Sequence, residues 1–137
     1  MNLVIDASVA VKWIVAEEQE TAAEALLLPG IRRIAPDFLV VEVGNVMRSK
    51  IMNGLVDPPQ ARAGLRFVRG SIDQFVSDGE LVDRALEIAA DLNHAIYDCL
   101  YIAFAEHTQG RLVTADRRLL RKLEGSPYQG VVQALAS

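Results

Sequence analysis

The chain has one cysteine, two histidines, no surplus of positive charge and no long apolar run, and each shortage removes a class of protein. A lone thiol, Cys99, cannot close an internal disulfide, which excludes a small secreted fold stapled by cystines and fits a reducing compartment. Cys99 stands inside an apolar helical run and is expected to pack in the core. No stretch reaches the roughly 18 uncharged apolar residues of a membrane span. The N-terminal run meets Asp6 almost at once, with no basic leader and no cleavage signal. The expectation is a cytoplasmic protein with no membrane segment. A formal charge of -4 argues against a protein that grips nucleic acid by bulk electrostatics alone. Locally basic groups remain at Arg32-Arg33, along Arg62, Arg66 and Arg69, and at Arg117-Arg118-Arg121-Lys122.

What is present is apolar. At 137 residues and 51% hydrophobic content the chain is large enough for one domain, 1–137, with a substantial core. Its pattern alternates strand and helix. Asn2 to Ile5 reads as a short buried strand, followed by helices over Ala7–Ala16 and Glu20–Leu28 and a break at Pro29-Gly30. A second strand lies around Arg33-Ile34-Ala35, and Pro36 is expected in the first turn of a helix running to about Asn53, where Gly54 stops it. Asp57-Pro58 caps a helix that ends near Gly70, and Ile72 to Val76 is a third strand. Ser77-Asp78-Gly79-Glu80 has the spacing of a capping box for a helix through Leu92. A helix over Tyr97–Thr108, a strand over Arg111–Val113, a helix over Asp116–Leu123 and a weak strand near Val131-Val132 complete the chain. Strands joined by helices predict an α/β fold with a central parallel sheet and ligands outside the carboxyl ends of its strands.

Asp6, Glu42, Asp98 and Asp116 break this apolar pattern from four separate segments. Asp6 ends Leu3-Val4-Ile5 and Asp116 follows Leu112-Val113-Thr114, so both fall at strand ends. Glu42 interrupts Phe38-Leu39-Val40-Val41; at about 100° per residue it shares a stripe with Phe38, Asn45 and Ser49. Asp98 shares a face with Tyr101, Ile102 and Ala105, poor company for a charge without a partner. Each acid also has an ordinary explanation. Asp6 and Asp116 can cap the helices that follow, Asp98 can sit in a first turn for the helix dipole, and Glu42 can pair with Arg48 or Lys50. Asn45 can serve core backbone, and Ser8 and Thr114 can be plain turn hydroxyls. Converging carboxylates repel one another and suit a hard divalent cation. His94 and His107 are expected at the surface or at helix ends, with His94 near the mouth of the site.

Together these residues form an ordered set: Val4-Ile5-Asp6-Ala7-Ser8, Pro36 through Glu42 and Asn45, Tyr97-Asp98-Cys99-Leu100-Tyr101-Ile102-Ala103, and Val113-Thr114-Ala115-Asp116. The chain thereby resembles the PIN-domain ribonucleases, most closely the VapC-type toxins of bacterial and archaeal toxin-antitoxin pairs. The resemblance implies a three-layer α/β/α fold, with Asp6, Glu42, Asp98 and Asp116 as the acidic quartet that binds Mg²⁺ or Mn²⁺. Ser8 or Thr114 and Asn45 match its supporting polar residues. It implies hydrolysis of an RNA phosphodiester to leave a 5′-phosphate, with Arg117, Arg118 and Arg121 near enough to reach RNA phosphates. It also implies a homodimer and a small cognate antitoxin that inhibits the enzyme; Trp13, Ile14, Val40 and Val41 can serve such surfaces or the core. Two other acidic folds fit less well. A receiver domain needs an acidic pair after its first strand and a lysine after its last, and an aspartyl phosphatase needs a second acid where Ser8 stands. The serious alternative is a PIN-fold interaction module without turnover.

Overall fold

Five short strands pair into one parallel sheet, and the central ones, Asn2–Ile5 and Arg111–Thr114, carry apolar runs followed closely by an acid. The structure, a computed structural model, describes residues 2–136; Met1 and Ser137, the ends of the expected 1–137 domain, lie outside the described residues. The strands are β1 (Asn2–Ile5), β2 (Arg32–Pro36), β3 (Gln74–Val76), β4 (Arg111–Thr114) and β5 (Val132–Ala134), in the order β3-β2-β1-β4-β5. Val4 lies between Ile34 and Leu112, and Ile5 pairs with Val113, so β1 and β4 finish side by side. Leu3, Val4 and Ile5 are all buried, as a strand covered on both faces requires.

The helices are α1 (Ala7–Ala10), α2 (Glu20–Ala25), α3 (Leu39–Met52), α4 (Pro58–Ser71), α5 (Val82–Leu92), α6 (Ile96–Thr108) and α7 (Arg117–Leu123). Connections from β1 through β3 step one way across the sheet and the crossover to β4 steps back past β1. With right-handed crossovers this puts α1 to α4 on one face and α5 to α7 on the other, the expected α/β/α layering. α6 lies against β1, β2 and β4 and packs on α5, while α3 touches α1 and α4. Cys99 through Ala105 of α6 are buried without interruption. α4 sits close to the chain leaving α1 because Gly64 has no side chain there; a Cβ would come within 2.5 Å of Ile14.

Several local expectations are corrected. The first helix ends early: α1 passes into a 3₁₀ turn, Val11–Trp13, and the chain bends so that Trp13 Nε1–H donates to the Ala23 carbonyl at 2.8 Å. α2 likewise stops at Ala25, and Leu26 to Leu28 continue as turns. Pro36 is the last residue of β2, paired with Val76, and the helix starts only at Leu39. A strand's end tolerates proline because the next N–H, that of Asp37, takes over by donating to the Val76 carbonyl. Ser77 caps nothing; Asp78–Glu80 forms a 3₁₀ turn and Asp78 instead accepts from the Phe38 N–H. The long-range bond to the β2–α3 corner replaces the local one. Trp13, Ile14 and Val40 pack against the core, and Val41 alone of the four apolar residues considered for partner surfaces is largely exposed. Among the described residues no helix is long and apolar enough to cross a membrane.

Candidate active site

The strand order reverses between β1 and β4, and loops leaving neighbouring strands diverge there, opening a crevice at their carboxyl ends. A cavity of about 280 Å³ lies at that place, lined by Asp6, Glu42, Asp98 and Asp116, with Ser8, Tyr101 and the apolar Ala7, Val11 and Val46. Four elements thus deliver the four acids singled out in the sequence to one cavity.

Asp6 and Asp116 arrive as helix caps at the strand ends. Asp6 Oδ1 accepts from the Val9 N–H at 3.2 Å and from the Ser8 hydroxyl at 2.6 Å. Asp116 Oδ1 accepts from the N–H groups of Arg118 and Leu119. Capping therefore occupies Oδ1 of each carboxylate. Behind them, Ser8 and the fully buried Thr114 join the two loops. Their hydroxyls lie 3.3 Å apart, Ser8 Oγ accepts from the Ala115 N–H, and Thr114 Oγ1 accepts from the Asp116 N–H.

Glu42 and Asp98 are held by side chains. The buried Tyr101 hydroxyl donates to Glu42 Oε1 at 2.7 Å, and its ring packs against Phe38. The salt bridge that would have made Glu42 ordinary is absent among the described residues, and Lys50 pairs with Glu17. His94 Nε2–H donates to Asp98 Oδ2 at 2.6 Å. Asn45 is not brought in: it is exposed on α3, and Val46 takes the place beside Glu42. From Glu42, Val46 is rotated by about 40° one way and Asn45 by about 60° the other, and α3 turns its Val46 side inward.

Electrostatically the cavity is short of positive charge. Asp6 is 6% exposed and its carboxyl is pushed up to about 6, chiefly by burial; the Ser8 and Thr114 hydroxyls and the Val9 N–H pull it down, and the Asp98 charge adds to the rise. Glu42 is raised by burial against the opposing Tyr101 hydrogen bond, with Asp98 again adding. Asp6, Glu42 and Asp116 have no ion pair among the described residues. Among those residues no three acids or histidines close on a single point. A donor set of separated carboxylates around a cavity with room for water still suits Mg²⁺ or Mn²⁺, which keep part of their hydration shell and take hard oxygen ligands. Arg117, Arg118 and Arg121 are exposed on α7, directly after Asp116. Cys99, beside Asp98, is buried and its thiol is pushed up to about 11 by burial, an inert packing residue as expected.

Tyr101 is the contribution that the sequence did not assign; His94 was expected near the mouth of the site, and only its bond to Asp98 was not. Tyr101 lies one helical turn after Asp98, so its position on the site face was visible, but its hydroxyl's partner lies 59 residues away.

The PIN domain family matches the chain over residues 3–125. The chain belongs to the PIN domain family. Ribonuclease VapC3 of Pyrobaculum aerophilum is 29% identical over 124 residues, which span 89% of this chain and 95% of that protein. Ribonuclease VapC1 of Mycobacterium tuberculosis is 32% identical over 103 residues, 71% of this chain and 75% of that one. Among solved structures, PAE2754 from Pyrobaculum aerophilum superposes with a TM-score of 0.70 at 26% identity, over 92% of this chain and 87% of its own. VapBC2 from Rickettsia felis, solved bound to a DNA fragment from their promoter, gives a TM-score of 0.69 over 99% and 100% of the two chains, and at 11% identity the likeness is one of fold.

Proposed function

We propose that residues 1–137 form a single nuclease domain that hydrolyses RNA phosphodiesters with Mg²⁺ or Mn²⁺, the toxin of a VapBC-type pair. The observation that carries this reading is the convergence of Asp6, Glu42, Asp98 and Asp116, from four elements, on one cavity at the sheet's switch point. The relatives named ribonuclease VapC support the reaction class. Those four acids would hold the cation, which supplies Lewis-acid activation of water and offsets charge on the scissile phosphate. The chain's own residues do the rest. Ser8 and Thr114 fix the β1 and β4 loops so that Asp6 and Asp116 keep their spacing. Tyr101 holds Glu42 in place, and Arg117, Arg118 and Arg121 attract the phosphates that net charge would otherwise repel. A cavity this open takes one backbone strand at a time, which favours single-stranded or looped RNA.

The test is cleavage of a structured RNA carrying single-stranded loops, with Mg²⁺ or Mn²⁺, with excess EDTA, and with Asp6→Asn. Cleavage by the wild type alone, and only with the cation, is the expected result, with 5′-phosphate product ends. Cleavage that persists in EDTA overturns the cation reading. RNA binding without cleavage under any cation makes the chain a PIN-fold binding module. The proposed partners are a second copy of the chain and a small antitoxin whose arginine forks onto the acids and takes the cation's place.

A further inference from the structure

Three of the four cavity acids are fixed by backbone or by a buried group: Asp6 and Asp116 by N–H donors of the helices they cap, Glu42 by the Tyr101 hydroxyl. Asp98 has neither. α6 begins after Ala95, which offers no side-chain cap, and among the described residues the Asp98 carboxylate accepts a single hydrogen bond, from His94. That donor is placed by the backbone. α5 ends at Leu92, its C-cap Asn93 lies in the left-handed region at φ 49°, and α6 starts at Ile96, so the corner between them is tight and carries His94 over the first turn of α6. From there Nε2–H reaches Oδ2 at 2.6 Å, and among the described residues Oδ1 has no donor. The Asp98 side chain is 32% exposed, so among the described residues this contact is the one hydrogen bond that selects among the rotamers the helix allows.

We propose that His94 is a positioning residue for Asp98, holding Oδ2 so that the carboxylate keeps the orientation in which it faces the cavity. The inference rests on Asp98 being a cation ligand, as proposed above. It matches a general feature of metal sites, in which the donors behind a ligand tune affinity by about 10- to 100-fold. His94 acts through Asp98 and touches no substrate.

Two substitutions separate the hydrogen bond from the ring. His94→Phe keeps a ring of similar bulk without a donor, and His94→Gln keeps a donor without the ring. Mn²⁺ is titrated into each metal-free protein and followed by calorimetry and by the EPR signal of free Mn²⁺, with thermal melts of the metal-free forms alongside. Binding should follow the donor: Phe weakened about 10- to 100-fold, Gln within a few-fold of wild type, and cleavage by the Phe variant recovering at high Mn²⁺. If Phe binds Mn²⁺ as tightly as wild type, or Gln as weakly as Phe, the proposal is overturned. Asp98→Asn distinguishes the two levels. If it binds Mn²⁺ normally, the cation reading of Asp98 fails and His94 fails with it; if it loses binding while Phe does not, only the role of His94 is refuted.

Discussion

Asp6→Asn should make the metal-free protein more stable at neutral pH while abolishing cleavage, an inversion that few core substitutions produce. The Asp6 carboxyl has an ordinary value of 3.8 and is pushed up to about 6 in the fold, principally by burial. Between those values the folded protein holds a proton that the unfolded chain has released, so the contribution of Asp6 to stability falls as pH rises through that window. At roughly 1.4 kcal/mol for each pH unit the ionised carboxylate costs the fold about 3 kcal/mol at pH 7, and about 0.5 kcal/mol near pH 4. Asparagine keeps Oδ1 as acceptor for the Ser8 hydroxyl and the Val9 N–H and carries no charge. Its amide nitrogen needs a partner in the cavity, so the gain at pH 7 should be about 1 to 3 kcal/mol, or roughly 3 to 9 °C for a domain of this size. The assay is a pair of melting curves, wild type and variant, taken in chelator from pH 4 to pH 8. The difference should open with pH and close when Mn²⁺ stabilises only the wild type. A variant that melts below the wild type at pH 7, or a difference independent of pH, refutes the account.

The double change Glu42→Gln with Asp98→Asn should raise metal-free stability and remove the melting shift caused by millimolar Mn²⁺; an unchanged shift moves the cation elsewhere. Tyr101→Phe deletes the donor to Glu42 while leaving the ring against Phe38, and cleavage at limiting Mn²⁺ should fall about tenfold or more; full activity would show that Glu42 needs no such support. Gly64→Ala should cost about 1 to 3 kcal/mol by overpacking against Ile14, seen as a lower denaturant midpoint, and Ile14→Ala in the same chain should recover part of it. Induction of the chain alone in a bacterial host should arrest growth, Asp98→Asn should relieve the arrest, and co-expression of the neighbouring gene should rescue the wild type. Normal growth with abundant wild-type protein would count against a toxin.

The strands and the acids were readable for the same reason. A buried parallel strand needs an unbroken apolar run, so Asp6 after Ile5 and Asp116 after Val113-Thr114 mark both a strand's end and a charge near the core. Glu42 stood out because a helix expected from Pro36 put it mid-helix with no cap to serve; α3 in fact starts at Leu39, which moves Glu42 into the first turn, and the acid is set apart there by its place in the cavity instead. What stayed hidden depended on contacts distant in sequence. The Glu42, Asn45 and Val46 positions all lie within one broad stripe of α3, and which of them turns inward is decided by how α3 sits on α1 and α4. Ser77 had the right spacing for a cap, but Asp78 found the Phe38 N–H forty residues away and the local motif lost.

The site is tied to the core chiefly through α6. Asp98 projects from its first turn, Tyr101 follows one turn later and holds Glu42, and the buried run Cys99–Ala105 presses the same helix across β1, β2 and β4. A rigid helix transmits small displacements along its length, so the packing that seats Phe104 and Ile102 also sets where Asp98 and the Tyr101 hydroxyl stand relative to Asp6 on β1. The core residues of α6 are thereby under two demands, filling the space above the sheet and fixing the spacing of charges that repel. On the proposed reading a cation would reconcile them: it would offset the carboxylate charges that strain the metal-free fold, and the burial that raises Asp6 would keep bulk water from weakening that attraction.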